Sequence, residues 1–227
     1  SSPPPADAGI GHSPIVALVA AMTGLWIAVG ALGALLIAMV AGMFLLLAMG
    51  RLHLDLGWGR SLHELGPITV PIAAPRDLVF EIIAAPYLGR TPGGSGIEVV
   101  AKSDALVVAT HHTRVHFYTA RTLEGIEFEP TARVGFRHLT GPVPQAVEEF
   151  TLEETAAGTE LRYSGELGID FFLLGRIAGR YWVRPQWERV VREHLEDLKQ
   201  RAEQRASRQR EREESEPKLP RSGSDLM

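Results

Sequence analysis

The chain has 227 residues, enough for one domain of ordinary size with accessory segments. Its 23 Lys and Arg against 27 Asp and Glu give a net charge of −4 and a pI of about 6.1, so no basic surplus points to nucleic acid. Cysteine is absent, which excludes disulfides and thiolate chemistry and fits a reducing compartment.

Residues 1–13 (SSPPPADAGIGHS) are rich in Pro, Ala and Gly and predict a disordered tail. Between Asp7 and Arg51 there is no Asp, Glu, Lys or Arg, and 14–50 is almost wholly Ala, Val, Leu, Ile, Met and Gly, with Trp26 and Phe44. A bilayer core takes ~20 apolar helical residues, and this run is nearly twice that. It lacks a basic n-region and is too long for a signal peptide, so the expectation is a transmembrane segment. Two topologies fit. One is a hairpin of helices 14–30 and 33–50 turning at Gly30 and Gly33, each arm near the lower end of the ~17–25 residue range. The other is a single crossing from about Gly30 to Gly50, preceded by an interfacial or partner-packed helix. The hairpin is the preferred of the two. Gly24, Gly30, Gly33 and Gly42 would let helix backbones approach closely, although glycine is also simply common in membrane helices. Arg51 and Arg60 come after the run, and only the amino terminus is basic before it, so the positive-inside bias puts the C-terminal side in the cytoplasm. The expected location is a cell membrane of bacterial type.

The connector 51–66 (RLHLDLGWGRSLHELG) alternates Leu52, Leu54, Leu56 and Trp58 with His53, Asp55 and Gly57, which suggests an extended piece with one apolar side. Trp58 suits the headgroup zone, with Arg51 and Arg60 beside it; a strand edge packed on the next domain is the alternative. His53 and His63 have no ligand-like spacing and imply no metal.

From Pro67 the pattern becomes that of a globular domain, running to about residue 205. A short strand at 68–73 precedes a helix opened by Pro75, with Asp77 near its positive end and Leu78, Val79, Ile82 and Ile83 as its buried stripe. A loop at 87–96 comes next. Strands are then expected at 97–103, 105–114, 116–128, 132–140, 145–154 and 159–169, broken by turn chemistry at Ser103-Asp104, Pro130-Thr131, Gly141-Pro142 and Ala157-Gly158. From Phe171, apolar residues recur with helical spacing at Phe172, Ile177, Tyr181, Trp187, Val190, Val191, His194, Leu195 and Leu198, with a kink expected at Pro185. Residues 206–227 are polar, mixed in charge and broken by proline, and predict a charged disordered tail that the helix enters for a few turns.

The fold class is therefore α+β: a curled antiparallel sheet gripping a long C-terminal helix. In this order, and in ITVPIAAPRDLVFEIIAAP, EFEPTARVGFRHL and AVEEFTLEETAAGTELRYSGEL, the chain resembles the helix-grip fold of the SRPBCC superfamily (START/Bet v 1-like, with polyketide cyclase/dehydrase and lipid-transport members) over roughly 67–205. The resemblance implies an apolar ligand pocket between sheet and helix. It rests on apolar spacing and turns and carries no invariant catalytic signature.

Strand alternation nominates the pocket side chains. Tyr163, Phe150 with Glu148, His138, and Glu124 with Tyr118 should point inward, joined by Tyr181 and Trp187 from the helix. In 105–114 the register is open: Leu106 and Val108 favour His112, Val107 and Ala109 favour His111. Glu148, His138 and His112 are thus the acid–base candidates, the alternative being that they pair with one another or are solvated. His111-His112 and Glu148-Glu149 are adjacent, so on a strand each pair faces opposite ways and cannot act as a pair. No phosphate-loop, dinucleotide or GxSxG motif occurs, and no cofactor or metal is implied. Arg176, Arg180 and Arg184 recur every four residues, either toward anionic lipid headgroups or as a solvated face.

Three functions fit these readings: a membrane-tethered START-like domain binding a hydrophobic small molecule or lipid at the cytoplasmic face, an accessory subunit of a membrane protein complex, or a cyclase/aromatase-like enzyme. The expected partners are the bilayer, the apolar ligand and possible further membrane subunits, and not nucleic acid. Fold alone does not choose among them.

Overall fold

The structure is a computed structural model describing residues 14–89, 96–104, 106–115 and 118–215. The N-terminal tail, most of the loop expected at 87–96, and residues 216–227 lie outside these. The chain divides into two compact units, Ser1–Leu45 and Leu46–Met227.

The first unit is most of one helix, α1 (Pro14–Ala48), which runs without interruption through Gly30 and Gly33. The hairpin topology is therefore corrected to one continuous helix. The reason is local: Gly30-Ala31-Leu32-Gly33 contains no proline or polar turn residue, and each glycine costs a helix only about 1 kcal/mol relative to alanine. At ~1.5 Å per residue its 35 residues extend about 52 Å. It is long enough and apolar enough to cross a membrane. It is also apolar all round, as a helix in a globular surface layer is not.

The second unit is built on a seven-stranded antiparallel sheet in the order β1-β7-β6-β5-β4-β3-β2. Its strands are β1 (Ser61–Ile72), β2 (Ile97–Lys102), β3 (Val107–Val115), β4 (Tyr118–Glu129), β5 (Arg133–Thr140), β6 (Gln145–Thr155) and β7 (Gly158–Ile169). Between β1 and β2 runs α2 (Arg76–Ala84), which buries Leu78, Val79, Ile83 and Ala84. From β2 to β7 each strand end falls within two residues of its predicted place, because turn chemistry and period-two alternation agree there.

β1 starts at Ser61, inside the expected connector, and pairs with β7 from Ser61↔Ile169 to Ile72↔Thr159. The rest of the connector is irregular. It is held by Asp170, whose carboxylate is 1 % exposed and accepts the backbone N–H of Leu56 (2.9 Å) and Gly57 (3.0 Å) and the Arg60 Nε–H (2.8 Å). Arg60 also donates to Asp55 and to Gln145. Arg60 is thus neutralised within the domain; Arg51 and Trp58 are exposed.

After β7 come α3 (Phe172–Ala178), a π-helical turn (Gly179–Val183) and α4 (Arg184–Ser215). The irregularity precedes Pro185 instead of sitting on it. Proline has no N–H to offer, and the turn before it shifts to i→i−5 bonding, with the Arg184 N–H on the Gly179 carbonyl. One extra residue in that turn rotates the faces of α4 by about 100° relative to those of α3. Hence the single inward face expected from Phe172 to Leu198 splits. Leu195, Leu198, Ala202 and Ala206 are buried in the core, whereas Phe172, Ile177 and Tyr181 are exposed. His194 is exposed as well. α4 continues through 206–215, predicted as tail; this stretch is Glu- and Arg-rich and free of proline, and Ala206 anchors its start in the core.

Candidate functional site

The sheet's inner face carries a polar cluster. Glu124 on β4 sits opposite His138 on β5, and Glu148 on β6 sits opposite Phe136. Tyr163 on β7 pairs with Phe150. Gly165, the inward position after Tyr163, leaves space that Glu148 fills: a Cβ there would come within 3.1 Å of Glu148 Cγ and 2.7 Å of the Val147 carbonyl. From the helix side, Trp187 closes the group.

His138 is its centre, with a side chain only 3 % exposed. Its Nε2 lies 3.1 Å from Glu124 Oε1 and 3.4 Å from Glu148 Oε2. Glu148 Oε1 accepts the Tyr163 hydroxyl and, at 2.8 Å, the Trp187 Nε1–H. Glu124 Oε1 accepts the Thr122 hydroxyl at 2.6 Å, and Glu124 Oε2 lies 3.5 Å from His111 Nδ1. Aromatic rings enclose these groups: the His138 ring lies 5.2 Å from Trp187, and His111 stacks on Tyr87 at 5.6 Å. Phe136 packs edge-on against Phe150.

This geometry sets the electrostatics. Burial favours a neutral His138, but hydrogen bonds and attraction from Glu124 and Glu148 outweigh it and raise the imidazolium to about 10. Burial also opposes ionisation of Glu124, and the His138 bond, the two imidazoles and Thr122 overcome it, bringing the carboxyl to about 2. His111 is lowered, burial prevailing over Glu124. Tyr163 is raised by burial and by the Glu148 charge beside it, so it stays a hydroxyl donor. The site is therefore an imidazolium between two carboxylates, fed by neutral donors.

Two nitrogens are left over. Among the described residues, His138 Nδ1 and His111 Nε2 are buried with no hydrogen-bond partner. On the charged His138 ring Nδ1 is a donor, whereas on His111, kept neutral with Nδ1 toward Glu124, Nε2 is an acceptor. A buried donor or acceptor left unpaired costs about 1–3 kcal/mol, so a ligand's acceptor is favoured at the first and a ligand's donor at the second.

Among the residues nominated from the sequence, His138, Glu148, Phe150, Tyr163 and Trp187 come together. His112 does not: it is exposed on the outer face, and His111 takes the inward position, on the parity of Val107 and Ala109, which belong to the apolar core. Tyr118 shares the parity of Glu124 but lies six residues along β4, about 20 Å away at strand spacing. Tyr181 is 64 % exposed, within the π-helical turn. Glu124 and His111 belong at the centre; strand alternation nominated Glu124, while for His111 it left the choice with His112 open.

No family model matches the chain, and no curated protein matches it. Among solved structures the neighbours are START-superfamily and polyketide aromatase/cyclase proteins. A protein from Thermus thermophilus is 19 % identical with a TM-score of 0.47, the alignment covering 63 % of this chain and 94 % of that one. The Zhui aromatase/cyclase from Streptomyces sp. R1128 is 19 % identical, TM-score 0.42, covering 61 % and 86 %. A START superfamily protein from Mycobacterium smegmatis is 14 % identical, TM-score 0.42, covering 65 % and 97 %. The helix-grip architecture itself stands on the strand order and the terminal helix described above.

Proposed function

We propose that the chain is a membrane-tethered helix-grip domain that binds a hydrophobic small molecule or lipid, oriented by one polar group of the ligand, at the cytoplasmic face. The observation that carries this reading is the buried Nδ1 of His138, without a partner among the described residues, on an imidazolium held charged by two carboxylates and walled by aromatic rings. An apolar site with few convergent polar groups is the usual form of a small-molecule site. A carbonyl, hydroxyl or phosphate oxygen would accept from that nitrogen, while Trp187 and Phe150 offer contact to a hydrocarbon or ring system. α1 supplies the tether, and Arg51 after it supports cytoplasmic placement.

The full chain purified in mild detergent is expected to carry a stoichiometric apolar compound, identified by mass spectrometry after organic extraction. His138→Gln and Trp187→Ala should lose it, with His112→Ala as a control that keeps it. Protein that carries no such compound and gains no thermal stability from fatty acids, isoprenoids or aromatic polyketides overturns the reading.

A further inference from the structure

The surface opposite in character to the core is the segment from Phe171 to Arg184. Leu173, Ile177 and Tyr181 recur every four residues, and so do Arg176, Arg180 and Arg184, one position away, giving an apolar row beside a basic one. Leu173, Ile177 and Tyr181 are all exposed, and Leu174 and Trp182 beside them are each 74 % exposed, so the apolar face is bare. Two features fix the segment to the domain. Gly175 and Gly179 let it approach closely, since a Cβ would come within 1.9 Å of the Asp170 carbonyl oxygen and 2.1 Å of His63 Nε2 respectively. The Phe171 and Phe172 N–H groups donate to the carbonyls of Trp58 (2.8 Å) and Gly59 (2.9 Å), and the Trp58 ring meets Phe172 edge-on at 5.9 Å.

Between this segment and β1, the edge strand, lies a cleft of about 690 Å³ whose walls include Arg60, His63, Glu64, Arg176, Arg180 and Arg184. Arg60 is balanced by Asp55 and Asp170, and Arg184 by Glu188. Arg176 and Arg180 have no carboxylate within ion-pair distance among the described residues. Their uncompensated charge borders exposed Trp, Tyr, Leu and Ile, the residue mixture that settles at a headgroup–acyl boundary.

We propose that this face docks the globular unit onto an anionic bilayer, with lipid phosphates entering the cleft against Arg176 and Arg180 and with Leu173, Leu174, Ile177, Tyr181 and Trp182 entering the acyl boundary. The charge selects the occupant: a bare apolar row alone would suit another protein, but two unpaired guanidinium groups beside it complement phosphodiester headgroups. The inference rests on the membrane-tethered reading for its lipid source, and it is independent of the inner site's ligand.

The chain contains no cysteine, so single labels are clean. Full-length Leu174→Cys, carrying an environment-sensitive fluorophore, is reconstituted into phosphatidylcholine vesicles with or without phosphatidylglycerol. Arg114→Cys, exposed on β3, serves as reference. Resistance to alkaline carbonate extraction establishes insertion of α1 first, so failure of the tether is seen separately. The expected result is a blue-shifted label at 174, shielded from iodide and quenched by spin-labelled lipid, in anionic vesicles only. Adding Arg176→Gln and Arg180→Gln should lower the docked-to-undocked ratio about thirty-fold, from ~1 kcal/mol per basic residue at such a surface. A label at 174 as open to iodide as the one at 114 overturns the proposal. Shielding that ignores phosphatidylglycerol and both arginine substitutions, or that vanishes on dilution of protein in lipid and so reports contact between copies, also overturns it.

Discussion

His138 decides the chemistry of the inner site, because its charge fixes that of its neighbours. Its folded value is raised from 6.5 to about 10, so the stabilisation it brings is complete below about pH 6.5 and is lost as pH climbs toward 10. Glu124 is lowered from 4.5 to about 2, so its contribution is complete above about pH 4.5 and is lost as pH falls toward 2. These are two views of one ion pair and are not summed. The urea midpoint of the full chain should therefore be highest between about pH 4.5 and 6.5 and fall on both sides, in measurements near pH 3, 5.5 and 9. Glu124→Gln should cost about 3–5 kcal/mol near neutrality, as removal of one buried partner does, and should make the alkaline decline shallower, since only Glu148 then holds the imidazolium. An alkaline slope unchanged by Glu124→Gln would show that the pair does not set the profile. Tyr163→Phe is a finer probe: it removes one donor from the Glu148 carboxylate, which keeps Trp187 and His138, and should cost about 1.5–3 kcal/mol by the same measurement.

At the scale of elements, the terminal helix shows which structural features local pattern conveys and which it does not. Leu195 and Leu198 face the core as their spacing requires, and β2 to β7 fall where alternation and turns put them. Both are nearest-neighbour effects. The apolar residues before Gly179 keep a helical spacing too, yet the π-helical turn breaks their phase with those after Arg184, and nothing in the residue pattern counts that extra residue. Asp170 was equally silent, since what makes it central is Arg60 and the Leu56 and Gly57 amides, more than a hundred residues away in sequence. In the inner site the sequence conveyed the strand faces but not the partner: parity put His138 and Glu148 inward, while the choice between His111 and His112 needed the register of β3 on β4. The docking of the π-helical turn on β1 gives a test of its own. Gly179→Ala improves helix propensity by up to about 1 kcal/mol but forces a methyl onto the His63 ring. The net result should be a loss of about 1–3 kcal/mol, largely recovered by His63→Ala in the same chain, as a double-mutant cycle would show. Without that recovery, the contact between Gly179 and His63 is not what limits substitution there.

At the scale of the molecule, the continuity of α1 changes what the tether implies. A hairpin would return the chain to its starting side, whereas one helix of about 52 Å exceeds the ~30 Å hydrocarbon core and is long enough to cross it once with length to spare. On the membrane-tethered reading, residues near Pro14 and the globular unit then lie on opposite sides. Arg51 comes soon after the helix and no basic side chain lies between Asp7 and Arg51, so the bias favours a cytoplasmic globular unit. The cysteine-free chain again permits a direct measurement. In intact bacterial cells a membrane-impermeant maleimide should label Ile15→Cys and spare Arg114→Cys, and permeabilised cells should give both. Labelling of both from outside would place the globular unit on the exterior. Protection of both until permeabilisation would mean that α1 returns or never crosses, and the tether would have to be abandoned as a single span.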